Sequence, residues 1–110
     1  MSELREPTFL ILTALAGEPR HGYGIIQEVA ESSDGRVSLL PGTLYTALDR
    51  LTAQGLVEVD REEVVESRLR RYYRLTPPGV ATLRAETTRL RSLAAAAEKR
   101  LRLIPKAGQA

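Results

Sequence analysis

Pro41-Gly42-Thr43-Leu44-Tyr45-Thr46-Ala47-Leu48-Asp49-Arg50-Leu51-Thr52-Ala53-Gln54-Gly55-Leu56 is the stretch whose reading decides the fold. Proline suits the first turn of a helix and glycine the residue just past its end, so Pro41 and Gly55 bracket a helix of about three turns. Leu44, Ala47, Leu48 and Leu51 fall at i, i+3, i+4 and i+7 and give it one apolar face. The opposite face carries Thr43, Tyr45, Thr46, Asp49, Arg50 and Thr52. Short hydroxyls, a phenol and an arginine reach phosphates and base edges when a helix lies in a major groove. The segment alone fits an ordinary amphipathic surface helix equally well, so its neighbours must decide.

Downstream, residues 56–60 alternate apolar and acidic, the period of a half-buried strand. Residues 68–75 alternate too: Leu69, Tyr73 and Leu75 share one face with Arg71, and Arg68, Arg70, Tyr72 and Arg74 share the other. The two strands, joined over residues 61–67, form a hairpin directly behind the helix. Three arginines and a tyrosine on one strand face suit a sugar-phosphate backbone. The plainer alternative is a solvated strand salt-bridged to Glu62, Glu63 and Glu66.

Upstream, Pro7 opens a helix that runs to Ala16 and closes at Gly17. Phe9, Leu10, Ile11, Leu12, Ala14 and Leu15 make it apolar almost all round, which implies burial on more than one side and suggests cover from a second subunit. After a turn at Glu18-Pro19-Arg20, His21-Gly22-Tyr23-Gly24 leads into a second helix with Ile25, Ile26 and Val29 inward. The lone histidine has no cysteine or second histidine to share a metal with, and reads as a cap or turn residue. Val37-Ser38-Leu39 could form a very short strand before Pro41. Helix, turn and second helix make a helix-turn-helix arrangement.

Thr76 is placed as the N-cap, and Pro77 as the first residue, of a long final helix stopped by Pro105. Val80, Leu83, Thr87, Leu90, Ala94, Ala97, Leu101 and Ile104 recur at alternating spacings of three and four, a heptad seam. A helix of about 25 residues spans about 38 Å, more than so small a core covers, and a second copy of the chain is the economical partner for its seam. The organisation expected is mainly α with a small β-hairpin. Residues 1–76 form a winged helix-turn-helix DNA-binding domain, 77–104 a C-terminal dimerisation helix, and 105–110 a flexible tail.

The chain has 110 residues, 43% of them apolar and 27% charged, as one globular domain would. With no cysteine it has neither disulfides nor thiolate metal sites. No apolar run is long enough to span a bilayer and no secretory signal is evident, so a cytoplasmic protein is expected. The net charge of +2 conceals an asymmetry. Residues 1–66 hold 5 basic and 12 acidic side chains, and residues 67–110 hold 11 and 2. One histidine and no glycine-rich phosphate loop leave little for an enzyme, and no cofactor is implied. Two readings stand: a DNA-binding regulator, or a winged-helix dimer that serves as a protein interaction module without binding DNA. The acidic first half keeps the second alive.

Three motifs in register resemble the winged-helix regulators of the PadR family, in the form with one short C-terminal dimerisation helix. His21-Gly22-Tyr23-Gly24-Ile25 is similar to the opening of that family's second helix. Pro41-Gly42-Thr43-Leu44-Tyr45 with Leu48, Arg50-Leu51 and Gly55-Leu56 is similar to its recognition helix, and Arg70-Arg71-Tyr72-Tyr73-Arg74-Leu75-Thr76 with Gly79 to its wing strand. The resemblance implies a homodimeric transcriptional repressor that binds operator DNA, with a possible small aromatic or drug-like effector at the dimer interface. It implies that Thr43, Tyr45, Thr46 and Arg50 face the major groove, that Arg70, Arg71 and Tyr72 approach the backbone or minor groove, and that Tyr23 lies near phosphate. Dimer contacts are expected from Phe9, Leu12, Val80, Leu83, Thr87, Leu90, Ala94, Ala97 and Leu101, and an effector cavity would be lined by Phe9, Leu12, Leu90 and Ala94. Thr46 stands where the family often has proline, and Ser67-Arg68-Leu69 where its wing often has Gly-Arg-Pro. There is no tryptophan to stack on a flat drug.

Overall fold

The computed structural model describes residues 4–106. Of the tail expected over residues 105–110, residues 107–110 lie outside that range. The elements in order are α1 (Glu6–Leu15), β1 (Arg20–His21), α2 (Gly22–Ser32), α3 (Pro41–Ala53), β2 (Val57–Val65), β3 (Arg68–Leu75) and α4 (Pro77–Leu101). The three strands form one antiparallel sheet in the order β1-β3-β2. This is a winged helix-turn-helix with a long C-terminal helix.

The apolar period of α3 is buried as its spacing requires. Leu44, Leu48 and Leu51 are fully covered and Ala47 nearly so. Each such leucine contributes about 1.5–3 kcal/mol by leaving water. The helix ends in a Schellman motif: the Leu56 N–H donates to the Leu51 carbonyl at 3.0 Å, the Gly55 N–H to the Thr52 carbonyl at 3.0 Å, and Gly55 has φ +76°.

Helix α1 is wrapped by its own chain, against α2, β3 and α4. Leu10, Ile11, Leu12, Ala14 and Leu15 are all buried within one protomer. The second subunit expected to cover α1 is therefore not needed for that purpose. Leu12, with no exposed surface, has nothing to offer a partner or an effector cavity. The reason is that β3 packs on α1, and β1, paired to β3, is tied to the end of α1 through Arg20.

That first strand was expected to be a turn. Arg20 and His21 pair instead with Tyr73 and Tyr72 of β3, and Arg20 Nε donates to the Ala14 carbonyl at 2.8 Å, tying the strand to the end of α1. Residues 37–39 form no strand. Leu39 is buried in the core, and the Val37 N–H donates to Ser33 Oγ at 2.9 Å. The hairpin is also longer than expected, because pairing continues through Val65 and Arg68 and leaves only Glu66 and Ser67 as its loop. Their φ angles of 50° and 66° are those of a type I′ turn, which fits the right-handed twist of paired strands. A register shift between Val59 and Arg61 bends β2 on its way to the wing tip.

The wing joins α4 through a dense set of bonds. Thr76 Oγ1 accepts from the Gly79 N–H at 3.0 Å, the expected N-cap, and donates to the Gly55 carbonyl at 2.6 Å. The Thr76 N–H donates to the Leu56 carbonyl at 3.1 Å, and a Cβ at Gly79 would overlap that same carbonyl. The first half of α4 packs on the body. Every residue from 90 to 106 is exposed, and the molecule measures 65 × 28 × 21 Å.

Candidate nucleic-acid interface

A helical turn of 100° per residue, set against the buried stripe of α3, puts Gly42, Thr46, Asp49 and Ala53 at the centre of the outward face. Tyr45 lies on the flank toward α2 and the wing, where its phenol rests against Gly22. Thr43 and Arg50 lie on the other flank and line a groove with Pro7 and Thr8 of α1. Arg50 Nη2 donates to Thr8 Oγ1 at 3.2 Å. Glu28 of α2 lies 3.6 Å from Arg20 and is not a partner of Arg50. Arg50 is exposed, and a guanidinium has five donors, so one bond leaves it able to reach a base. Asp49 was seen on this face but not singled out; a carboxylate there is an acceptor suited to a cytosine amino group.

The wing divides its arginines into two groups. Arg71 pairs with Glu62 at 2.7 Å, Arg74 with Glu58 and Asp60 at 2.8 Å each, and Arg61 with Asp60 at 3.1 Å. The salt-bridged alternative therefore holds for Arg71 with Glu62, and Arg74 is paired as well, though to Glu58 and Asp60 rather than to Glu62, Glu63 or Glu66. Arg68 and Arg70 make no hydrogen bond or ion pair among the described residues. They line a cleft of about 480 Å³ together with His21, Gly22, Tyr23 and Tyr45, and Glu66 and the paired Arg71 also reach its rim. Tyr23 is 65% exposed and Tyr45 46%. Two unpaired cations and two accessible phenols thus share one opening between the start of α2, the flank of α3 and the wing.

Tyr72 anchors the base of this opening. Its ring stacks on His21 (centroids 5.3 Å apart, planes at 19°), and the Arg61 guanidinium lies 3.9 Å from its centroid. The hydroxyl donates to Glu63 Oε1 at 2.8 Å. His21 precedes α2 but makes no side-chain cap bond, so its role is stacking rather than capping. Burial, followed by the positive charge of Arg70, holds its imidazole below the ordinary value of 6.5, with Glu63 opposing.

Comparison with known proteins gives the family. The Transcriptional regulator PadR-like family matches residues 11–85. The transcriptional regulator Rv3488 of Mycobacterium tuberculosis is 44% identical over 84 residues, covering 76% of this chain and 75% of the relative.

This chain belongs to the PadR-like family of transcriptional regulators.

Its relatives are regulators and not enzymes. Among solved structures, a PadR-family regulator from Eggerthella lenta superposes with a TM-score of 0.70 at 28% identity, covering 88% of this chain and 82% of that one. Bacillus subtilis PadR in complex with operator DNA superposes with a TM-score of 0.65 at 24% identity, covering 74% and 47%; at that identity the likeness is one of fold. No helix among the described residues is long and apolar enough to cross a membrane.

On this PadR-family fold the expected dimer residues are scattered. Val80, Leu83 and Thr87 line a groove between α4, the end of α1 and Leu75 of β3. Phe9 and Leu90 meet across a second groove of about 330 Å³, between α1, the end of α2 and α4. Ala94, Ala97 and Leu101 lie on the exposed half of α4, together with Leu93, which is 56% exposed and lies off the seam. Glu86 escaped the sequence reading. It is buried beside Leu90, bonded by Arg89 Nη2 at 2.6 Å and Nε at 3.0 Å, and it accepts from the Leu4 N–H at 3.4 Å.

Proposed function

We propose that this protein acts as a homodimeric repressor on a two-fold symmetric operator. In this reading α3 enters the major groove and the wing follows the adjacent backbone. The observation that carries it is the shared opening where Arg68 and Arg70, without partners among the described residues, stand beside Tyr23 and Tyr45. Thr43, Thr46 and Arg50 reach base edges, Asp49 accepts from a base amino group, and Arg68, Arg70 and Tyr23 hold phosphates. Arg71 and Tyr72, both engaged inside the wing, support that surface and make fewer contacts of their own. The operator complex of Bacillus subtilis PadR, a chain of the same fold, supports the reading.

The partner copy covers the exposed half of α4 and the turn that follows it, where Leu93, Leu101, Leu103 and Ile104 are each more than half exposed. A soluble chain rarely leaves such a row open. The groove between Phe9 and Leu90 is the place for a small apolar effector that alters the angle between the two winged domains.

Selection of bound duplexes from a random pool tests the proposal. An inverted repeat with half-sites about one helical turn apart is expected. A single asymmetric motif, or no enrichment, would oppose it.

A further inference from the structure

In the β2–β3 ladder, three glutamates stand directly opposite three arginines: Glu58 opposite Arg74, Glu62 opposite Arg71 and Glu63 opposite Arg70. Opposed charges on neighbouring strands normally pair. The first two do, at 2.8 and 2.7 Å. The third does not. Glu63 instead takes the hydroxyl of Tyr72 at 2.8 Å and lies 3.6 Å from Arg61 Nε.

We propose that the Tyr72 hydroxyl keeps Arg70 available to phosphate by drawing Glu63 away from it. The inference rests on the DNA-binding reading for its consequence and on the wing geometry for its cause. Tyr72 is well placed to do this. It sits on the central strand with His21 as its neighbour on β1 and Arg61 as its neighbour on β2. The stack on His21 and the guanidinium over its ring fix the direction of the phenol. Glu63, held by that phenol and by Arg61, is not among the residues that line the cleft with Arg70. Tyr72 is therefore a positioning residue. Four carboxylates of the wing, Glu58, Asp60, Glu62 and Glu63, are committed to donors other than Arg68 and Arg70, whereas Glu66 at the wing tip lines the cleft itself.

Tyr72→Phe keeps the ring and its stack but removes the donor. Glu63 then turns to Arg70. Binding to operator duplex should weaken by up to about tenfold per protomer at 0.1 M salt. The slope of log K against log salt should flatten by about 0.9 per protomer, as it does for Arg70→Ala. Adding Glu63→Gln to Tyr72→Phe should restore both affinity and slope. Wild-type binding by Tyr72→Phe, or a loss that Glu63→Gln does not restore, overturns the proposal.

A second measurement needs no DNA. Melting temperatures of Glu63→Gln, Arg70→Gln and the double variant should be additive in the wild-type background and non-additive in the Tyr72→Phe background. Additivity in both overturns the proposal. Salt-independent binding by the wild type would instead overturn the DNA reading, and the melting cycle would still decide the diversion of Glu63.

Discussion

The phenol of Tyr45 lies against Gly22 so closely that a Cβ on that glycine would overlap it. The recognition helix and the first turn of α2 thus meet through one ring and one missing side chain. Because the obstructing atoms are the far end of a flexible side chain, Gly22→Ala should move Tyr45 rather than unfold the protein. Operator affinity is expected to fall by about tenfold, equivalent to about 1.4 kcal/mol. The melting temperature should change little. Fluorescence anisotropy and a thermal melt on the same sample check both.

The split among the wing arginines makes a sharper claim than their number. Arg68→Ala and Arg70→Ala should each flatten the salt dependence of DNA binding by about 0.9 per protomer. Arg71→Ala and Arg74→Ala, whose guanidinium groups are already occupied by Glu62, Glu58 and Asp60, should flatten it by less than half as much. Equal slopes for all four variants would contradict the division. None should alter the melting temperature strongly, because these pairs are largely exposed.

Gly79 carries the join between the wing and α4. Its Cα faces the Leu56 carbonyl, a backbone group that cannot move aside. Gly79→Ala should destabilise the fold by about 1–3 kcal/mol, the usual cost of overpacking. Urea denaturation with an unchanged m-value would confirm it. Gly42→Ala, at a position with open space around it, is the matching control and should cost little.

Four groups with lowered folded values, His21, Glu86, Glu6 and Asp60, set the expected pH response. His21 has a folded value held below its ordinary 6.5, so the unfolded chain takes up the proton first as pH falls. Its contribution to stability is present above about pH 6.5 and is lost as pH falls from there through the lower folded value. Glu86 is held below its ordinary 4.5, chiefly by its bond from Arg89. Its contribution is present above about pH 4.5 and lost below. Melting temperature should therefore fall in two stages between pH 7 and pH 3. His21→Phe should remove the first stage, and Glu86→Gln should reduce the second, to which Glu6 and Asp60 also contribute.

Much of this was legible from the residues. The stripe Leu44, Ala47, Leu48 and Leu51, the terminating Gly55 and the Thr76 cap are local signals, and local signals survive folding unchanged. What was hidden depends on distant partners. Two residues, Arg20 and His21, carry no periodicity, so β1 exists only because β3 is there to pair with it. Glu66-Ser67 lacks the Asn-Gly signature of its turn type, and the hairpin appeared shorter than it is. The burial of Glu86 follows from Arg89 one turn along α4 and from the Leu4 N–H brought over by α1, and helical spacing alone would leave it on the surface. The count of wing arginines was readable; which of them are spent on carboxylates was not.

The most direct test of the account is binding to DNA from just upstream of the protein's own gene, measured across a salt series with random duplex as control. Specific binding that weakens steeply with salt, and flattens on Arg68→Ala or Arg70→Ala, is the predicted result. Weak and equal binding to both duplexes, unaltered by those substitutions, would contradict it.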